Sequence, residues 1–140
     1  LDLGVDEAAV SDTIGAAAPT DVHALLTLLL AQVPRTALAL HFHDTRGTAL
    51  ANVVAGLSLG ITTFDASAGG LGGCPYAPGA SGNLATEDLV YLLNRMGVDC
   101  GVSLEGVAAA SRIIAAALGR ELPARNLRRL DAACGGKKGE

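Results

Sequence analysis

The chain has 140 residues, of which 50% are hydrophobic and 17% are charged, and this composition excludes a disordered chain and fits one domain. Its formal net charge is −4, which argues against a nucleic-acid-binding surface because such a surface needs a basic patch. No apolar run reaches the roughly 18 to 20 residues that a membrane span needs, so we expect no membrane association.

Strand-like and helix-like segments alternate along the first half of the chain. We predict strands over 5–12, 36–42 and 61–66, because their residues are small, branched or nearly continuously apolar. Helices are predicted over 21–33 and 49–59, where apolar residues recur at helical spacing. The stripe expected to be buried on the second helix consists of Leu50, Val53, Val54 and Leu57. Since parallel strands need crossover connections, this alternation indicates an α/β fold with a parallel sheet.

A long loop over 68–85 follows the third strand. It has six glycines and two prolines, and a loop of this length is usually functional or disordered. We interpret this one as a specific backbone path. Two more helices are predicted, over 86–96 and 104–118, and the second has Ser103 as its cap and Gly119 as its stop. Residues 120–140 are predicted to be a C-terminal tail whose basic side chains are solvated.

Two histidines at the end of the second strand are the clearest candidates for chemistry. His41 and His43 are two residues apart, so both side chains point to one face, about 6–7 Å apart along the backbone. An apolar strand that ends in two such imidazoles, followed by Asp44, is a natural edge for a metal ion. A pair of hydrogen-bonded core histidines would give the same pattern. Nitrogen and oxygen donors together suit Mg²⁺, Mn²⁺ or Zn²⁺.

Three further residues could take part in the same site. Cys74 lies between a glycine and a proline and could act as an acid or a nucleophile, or be a small buried hydrophobe. Asn83 ends the glycine-rich loop and could offer an amide oxygen to a metal, or serve as a turn residue. Asp12 ends the first strand and could be a catalytic carboxylate, a helix cap or a partner that orients a histidine. We expect the histidine pair and the loop to meet over one divalent ion.

At these motifs the chain resembles the hydroxymethylglutaryl-CoA lyases. The similarity covers nearly all of residues 1–118, and the run around the cysteine is its most specific part. The matching runs are Ser11-Asp12-Thr13-Ile14-Gly15, His41-Phe42-His43-Asp44-Thr45, Gly70-Leu71-Gly72-Gly73-Cys74-Pro75-Tyr76-Ala77, Gly79-Ala80-Ser81-Gly82-Asn83 and Ala85-Thr86-Glu87-Asp88-Leu89-Val90.

The resemblance implies a fold and a set of roles. The fold would be the C-terminal part of a TIM (β/α)8 barrel, with three parallel strands, crossover helices and C-terminal helices, and residues 1–119 would form this partial barrel. His41 and His43 would bind Mg²⁺ or Mn²⁺, and Asn83 would add its amide oxygen. Cys74 would be the catalytic thiol, and Asp12 would be a base or an orienting residue near the metal.

The implied reaction is the cleavage of 3-hydroxy-3-methylglutaryl-CoA to acetyl-CoA and acetoacetate. The family's first barrel strand carries an arginine and a metal-binding aspartate, and an early glutamate is also part of its site. This chain has none of the three. It therefore looks like the C-terminal half of a lyase, and we expect the isolated chain to be inactive.

Two other interpretations stay open. One is a lyase or aldolase of the same superfamily that acts on another 3-hydroxyacyl-CoA. The other is a non-catalytic half-barrel that needs a partner chain, or that forms a homodimer, because open sheet edges invite pairing. Three widely spaced cysteines do not form a disulfide framework, and no secretory signal is visible. The expected location is therefore the cytoplasm, or the mitochondrial matrix in a eukaryote.

Overall fold

The computed structural model describes residues 4–73 and 82–135, so the predicted thiol Cys74 lies outside the described residues. The chain divides into two compact units. The first contains Leu1–Asp65 and Gly73–Asn83, and the second contains Ala66–Gly72 and Leu84–Glu140. Across the described ranges, the structure has no helix of the length and apolarity that a membrane crossing requires.

The first unit is a three-stranded parallel sheet with two crossover helices, as the alternating sequence pattern predicts. Strand β1 (Ala8–Asp12) and strand β3 (Thr63–Asp65) flank the central strand β2 (Leu38–Phe42). Helix α1 (Pro19–Leu30) connects the first two strands, and helix α2 (Ala49–Ser58) connects the last two. The sheet is open, since its two outer strands pair only with β2 among the residues described.

Helix α2 lies very close to the sheet, and this closeness changes the face that it buries. The contact is made at Gly56, where an added Cβ would lie 2.5 Å from Cδ1 of Leu40. The prediction of the buried stripe is therefore wrong in part, because Val54 is 41% exposed. Small residues allow the helix to approach the strand, so the buried face consists of Ala49, Asn52, Val53 and Gly56.

The second unit is helical. Helices α3 (Thr86–Arg95) and α4 (Leu104–Leu118) are followed by helix α5 (Arg125–Gly135). The predicted ends of α4 are confirmed, since the Ser103 side chain accepts a hydrogen bond from the Gly106 amide at 3.1 Å and Gly119 adopts the left-handed conformation. The core of this unit consists of Ala85, Ala108, Leu122, Ala124 and Leu127.

Helix α5 contradicts the expectation of a solvated tail after residue 119. Leu122 and Leu127 are buried in the core, although the arginines of this segment are exposed as predicted. The start of α5 is capped from a distance, because the carboxylate of Asp88 accepts hydrogen bonds from the amides of Arg125 and Asn126 at 3.1 and 2.7 Å. A negative charge at this position satisfies free amides and interacts favourably with the helix dipole. A domain boundary at residue 119 stays a prediction.

Replacement of Asp88 is expected to destabilise the second unit. Asp88→Ala removes the cap of α5 and should lower the free energy of unfolding by about 1–2 kcal/mol. Asp88→Asn keeps an acceptor and should cost less. The measurement is urea unfolding followed by circular dichroism, with Glu121→Ala as the control because Glu121 is an exposed acid of the same unit. Equal stability of Asp88→Ala and the control would contradict the capping role.

Candidate metal centre

The two histidines lie together at the carboxyl end of β2. The centroids of the His41 and His43 rings are 5.2 Å apart, and the ring planes meet at 83°. His43 is buried, whereas the side chain of His41 is partly exposed. The alternation of a strand puts both rings on one face, so their nitrogens can approach a common point.

Asn83 lies beside this pair because the end of the long loop returns to β2. Its backbone forms an antiparallel bridge with His43, and the amide of Asp44 donates to the carbonyl of Gly82 at 3.2 Å. The side-chain Oδ1 of Asn83 is buried and accepts no hydrogen bond from atoms of the described ranges, while the residue takes part in another interaction. Two imidazoles and one amide are thus brought to the same strand end.

The orientation of the His43 ring is fixed by the end of β1. Its Nδ1 lies 3.0 Å from the backbone carbonyl of Asp12, and its backbone amide lies 3.4 Å from the same oxygen. A carbonyl oxygen can only accept, so Nδ1 carries the proton and donates it. In the neutral ring the lone pair is then on Nε2, which is the tautomer that can bind a metal through that atom.

The Asp12 carboxylate is engaged with the loop that follows β1. Its two oxygens accept hydrogen bonds from the amides of Ala16 and Ala17 at 2.9 and 3.0 Å. The side chain therefore stabilises the path of this loop, while the main-chain carbonyl of the same residue holds His43. Both contacts are of the structural kind that the sequence left open as an alternative to catalysis.

One carboxylate near the histidines was not predicted from the sequence. Asp65 ends β3, and its Oδ2 lies 3.5 Å from Nδ1 of His41. A signal was present, because Asp65 ends the third strand just as the histidines end the second. In the described ranges, no group of three or more His, Cys, Asp or Glu side chains is arranged to hold a metal ion. The donor set among these residues is therefore two imidazoles and an amide, which fits part of the coordination of a divalent ion.

A separate buried carboxylate belongs to the second unit. Both oxygens of Glu87 lie within hydrogen-bonding distance of the Gly69 amide, at 3.1 and 2.9 Å, and the Ser111 hydroxyl donates to the same carboxylate. Glu87 and Asp88 are both acids in the first turn of α3. The structure shows that both are buried and make tertiary contacts, which no local pattern indicates.

Comparisons with known proteins find lyases and a lyase-like family. A family model described as HMGL-like matches residues 1–114. Hydroxymethylglutaryl-CoA lyase YngG of Bacillus subtilis is 56% identical over 91% of this chain and 42% of its own length. The (R)-citramalyl-CoA lyase of Chloroflexus aurantiacus is 48% identical over 89% of this chain and 39% of its own length. The mitochondrial hydroxymethylglutaryl-CoA lyase of Mus musculus is 50% identical over 85% of this chain and 37% of its own length.

The comparison of structures agrees with that of sequences. The crystal structure of the Bacillus subtilis HMG-CoA lyase superimposes with a TM-score of 0.89, at 55% identity, and the match covers 93% of this chain and 44% of that one. The prediction of three parallel strands from a TIM barrel is thus confirmed. This chain spans about two fifths of the length of the curated relatives that it matches.

Proposed function

This chain belongs to the HMGL-like family, and we propose that it contributes the metal-binding C-terminal part of a carbon–carbon lyase. The substrate would be 3-hydroxy-3-methylglutaryl-CoA, and the products would be acetyl-CoA and acetoacetate. The observation that carries this proposal is the convergence of His41, His43 and Asn83 at the end of β2. Because the chain covers only part of its relatives, the activity is proposed for the intact protein and not for these residues alone.

His41, His43 and Asn83 would hold the metal, which we propose to be Mg²⁺ or Mn²⁺. An amide oxygen favours these harder ions, and the absence of a thiolate among the three donors is consistent with them. When bound, such an ion makes a substrate hydroxyl more acidic and stabilises the negative charge that develops. The three donors are uncharged when the imidazoles are neutral, so the intact protein would have to supply charge from elsewhere.

The remaining roles follow the chemistry of a retro-Claisen cleavage. The tertiary hydroxyl loses its proton to a base, for which Asp12 or a water on it is the predicted candidate. The bond between the hydroxyl-bearing carbon and the α-carbon of the thioester then breaks. Acetoacetate leaves, and the electron pair stays on the enolate of acetyl-CoA. Cys74 would supply a proton to the α-carbon of this enolate, since a thiol has an ordinary pKa of about 8.5 and keeps its proton at neutral pH.

For Asp12 we propose the orienting role. Its carbonyl holds Nδ1 of His43, and its carboxylate accepts from two backbone amides of the following loop. These contacts favour a residue that fixes the histidine and the loop. The role of Asp12, or of a water on it, as the base for the hydroxyl proton stays a prediction.

A second candidate is a lyase for another 3-hydroxyacyl-CoA. It is favoured by the relative from Chloroflexus aurantiacus, which is named for (R)-citramalyl-CoA and is 48% identical over 124 residues.

Metal removal tests the proposed reaction. We expect the intact protein to form acetoacetate from 3-hydroxy-3-methylglutaryl-CoA, to lose this activity in EDTA, and to regain it with Mg²⁺ or Mn²⁺. Activity on citramalyl-CoA, measured in parallel, decides between the two substrates. Metal-independent turnover, or no turnover of either thioester, would contradict the proposal.

The isolated 140-residue chain is expected to be inactive, because the metal would lack a charged ligand. A homodimer and a location in the cytoplasm or the mitochondrial matrix stay predictions. The half-barrel that needs a partner chain also stays a prediction. It is consistent with the two outer strands of the described sheet, each of which pairs only with β2.

A further inference from the structure

The ends of β2 and β3 place a carboxylate against a proposed metal ligand. His41 and Asp65 are register partners in the parallel pairing of these strands. Partners in register on neighbouring strands direct their side chains to the same face of a sheet. The contact of 3.5 Å between Nδ1 of His41 and Oδ2 of Asp65 follows from this pairing.

The two histidines therefore have different partners at the same ring atom. Nδ1 of His43 faces the neutral carbonyl of Asp12, whereas Nδ1 of His41 faces a carboxylate. Among the described residues both rings have their polar contact at Nδ1, which leaves Nε2 for a ligand. A carboxylate at Nδ1 makes the imidazole a stronger donor at Nε2 and fixes both tautomer and ring orientation.

Asp65 is not itself placed as a third ligand. The described residues contain no three-membered His, Cys, Asp or Glu cluster suited to a metal ion, and His41, His43 and Asp65 would be such a cluster. Its side chain is 53% exposed, so its removal should not disturb the core of the first unit. The geometry thus favours an action through His41.

We propose that Asp65 is a positioning residue for the metal centre, because its carboxylate faces Nδ1 of His41 and so directs Nε2 of that ring toward the ion. Asp65 also adds a negative charge next to a donor set that is otherwise neutral. This inference rests on the proposed function, since it assigns a role toward the same metal.

The first test measures Mn²⁺ binding to the intact protein. The electron paramagnetic resonance signal of the unbound ion reports how much Mn²⁺ is free. Asp65→Ala should weaken binding by about tenfold to a hundredfold, the usual effect of losing a partner of a metal-binding histidine. Asp65→Asn keeps the acceptor and loses the charge, so its affinity should be intermediate. The control is Asp6→Ala, which removes the same charge from an exposed residue of the same unit. Thermal unfolding confirms that each variant is folded.

The second test is the tautomer of His41 without metal, read from nitrogen-15 chemical shifts at a pH where the ring is neutral. The wild type should carry its proton on Nδ1, and Asp65→Ala should show a mixture of the two tautomers. Unchanged Mn²⁺ affinity and an unchanged tautomer in Asp65→Ala would overturn the inference. If the wild type fails to bind Mn²⁺, the proposed function fails, and the tautomer still decides whether Asp65 positions His41.

Discussion

His43→Ala is expected to weaken Mn²⁺ binding to the intact protein by more than about a hundredfold, because loss of a ligand costs more than loss of its hydrogen-bond partner. The ring of His43 is buried and held at Nδ1 by the carbonyl of Asp12, so it is preorganised to present Nε2. Its backbone is bridged to Asn83, another proposed donor. Removal of the imidazole therefore takes away a preorganised donor.

His23→Ala is the matched control for this variant. His23 lies on α1, is exposed, and contacts Thr27 on its own helix. Because His43 is buried, its replacement by alanine also leaves an empty space. His41→Ala is therefore a second variant, since the side chain that it removes is more exposed. Both ligand variants should lose affinity, and the control should bind Mn²⁺ as the wild type does. If folded His43→Ala and His41→Ala both bind Mn²⁺ with wild-type affinity, the proposal that these histidines bind the metal is wrong.

The sequence predicts those parts of the fold whose signals are local. Helix α4 has both ends where the sequence places them, because Ser103 and Gly119 act on their own helix. The central strand, predicted over 36–42, is found at Leu38–Phe42, because its apolar run reflects burial on both faces. The histidine pair is equally visible, since a spacing of two along a strand fixes a common face.

The features that were not predicted depend on contacts between residues distant in the sequence. Helix α5 is capped by Asp88, a residue of another helix, and so has no cap signal of its own. The buried face of α2 is set by the approach of Gly56 to Leu40, and a hydrophobic periodicity favours larger side chains instead. The position of Asp65 beside His41 can be recognised only when the register of β2 and β3 is known.

The proposed catalytic thiol is visible in the sequence and not in the described part of the structure. Cys74 is singled out by a specific sequence motif, and it lies outside the residues that the structure describes. The structure describes the two residues with which the loop that contains Cys74 ends. Gly82 and Asn83 are fixed to Asp44 and His43 by main-chain contacts, so the chain leaves this segment directly at the proposed metal centre.

Cys74→Ala is expected to lower turnover by about a hundredfold to ten-thousandfold, the usual contribution of a general acid, while Mn²⁺ affinity stays within about twofold of the wild type. The reason is that the enolate of acetyl-CoA needs a proton donor, whereas the three proposed metal ligands are unchanged. Cys74→Ser should recover little activity, because a hydroxyl is a much weaker acid than a thiol. Cys100→Ala is the control, since Cys100 is an exposed free thiol. Undiminished acetoacetate formation by Cys74→Ala would exclude the thiol as the proton donor, and a parallel loss of metal affinity would indicate a structural role for the residue.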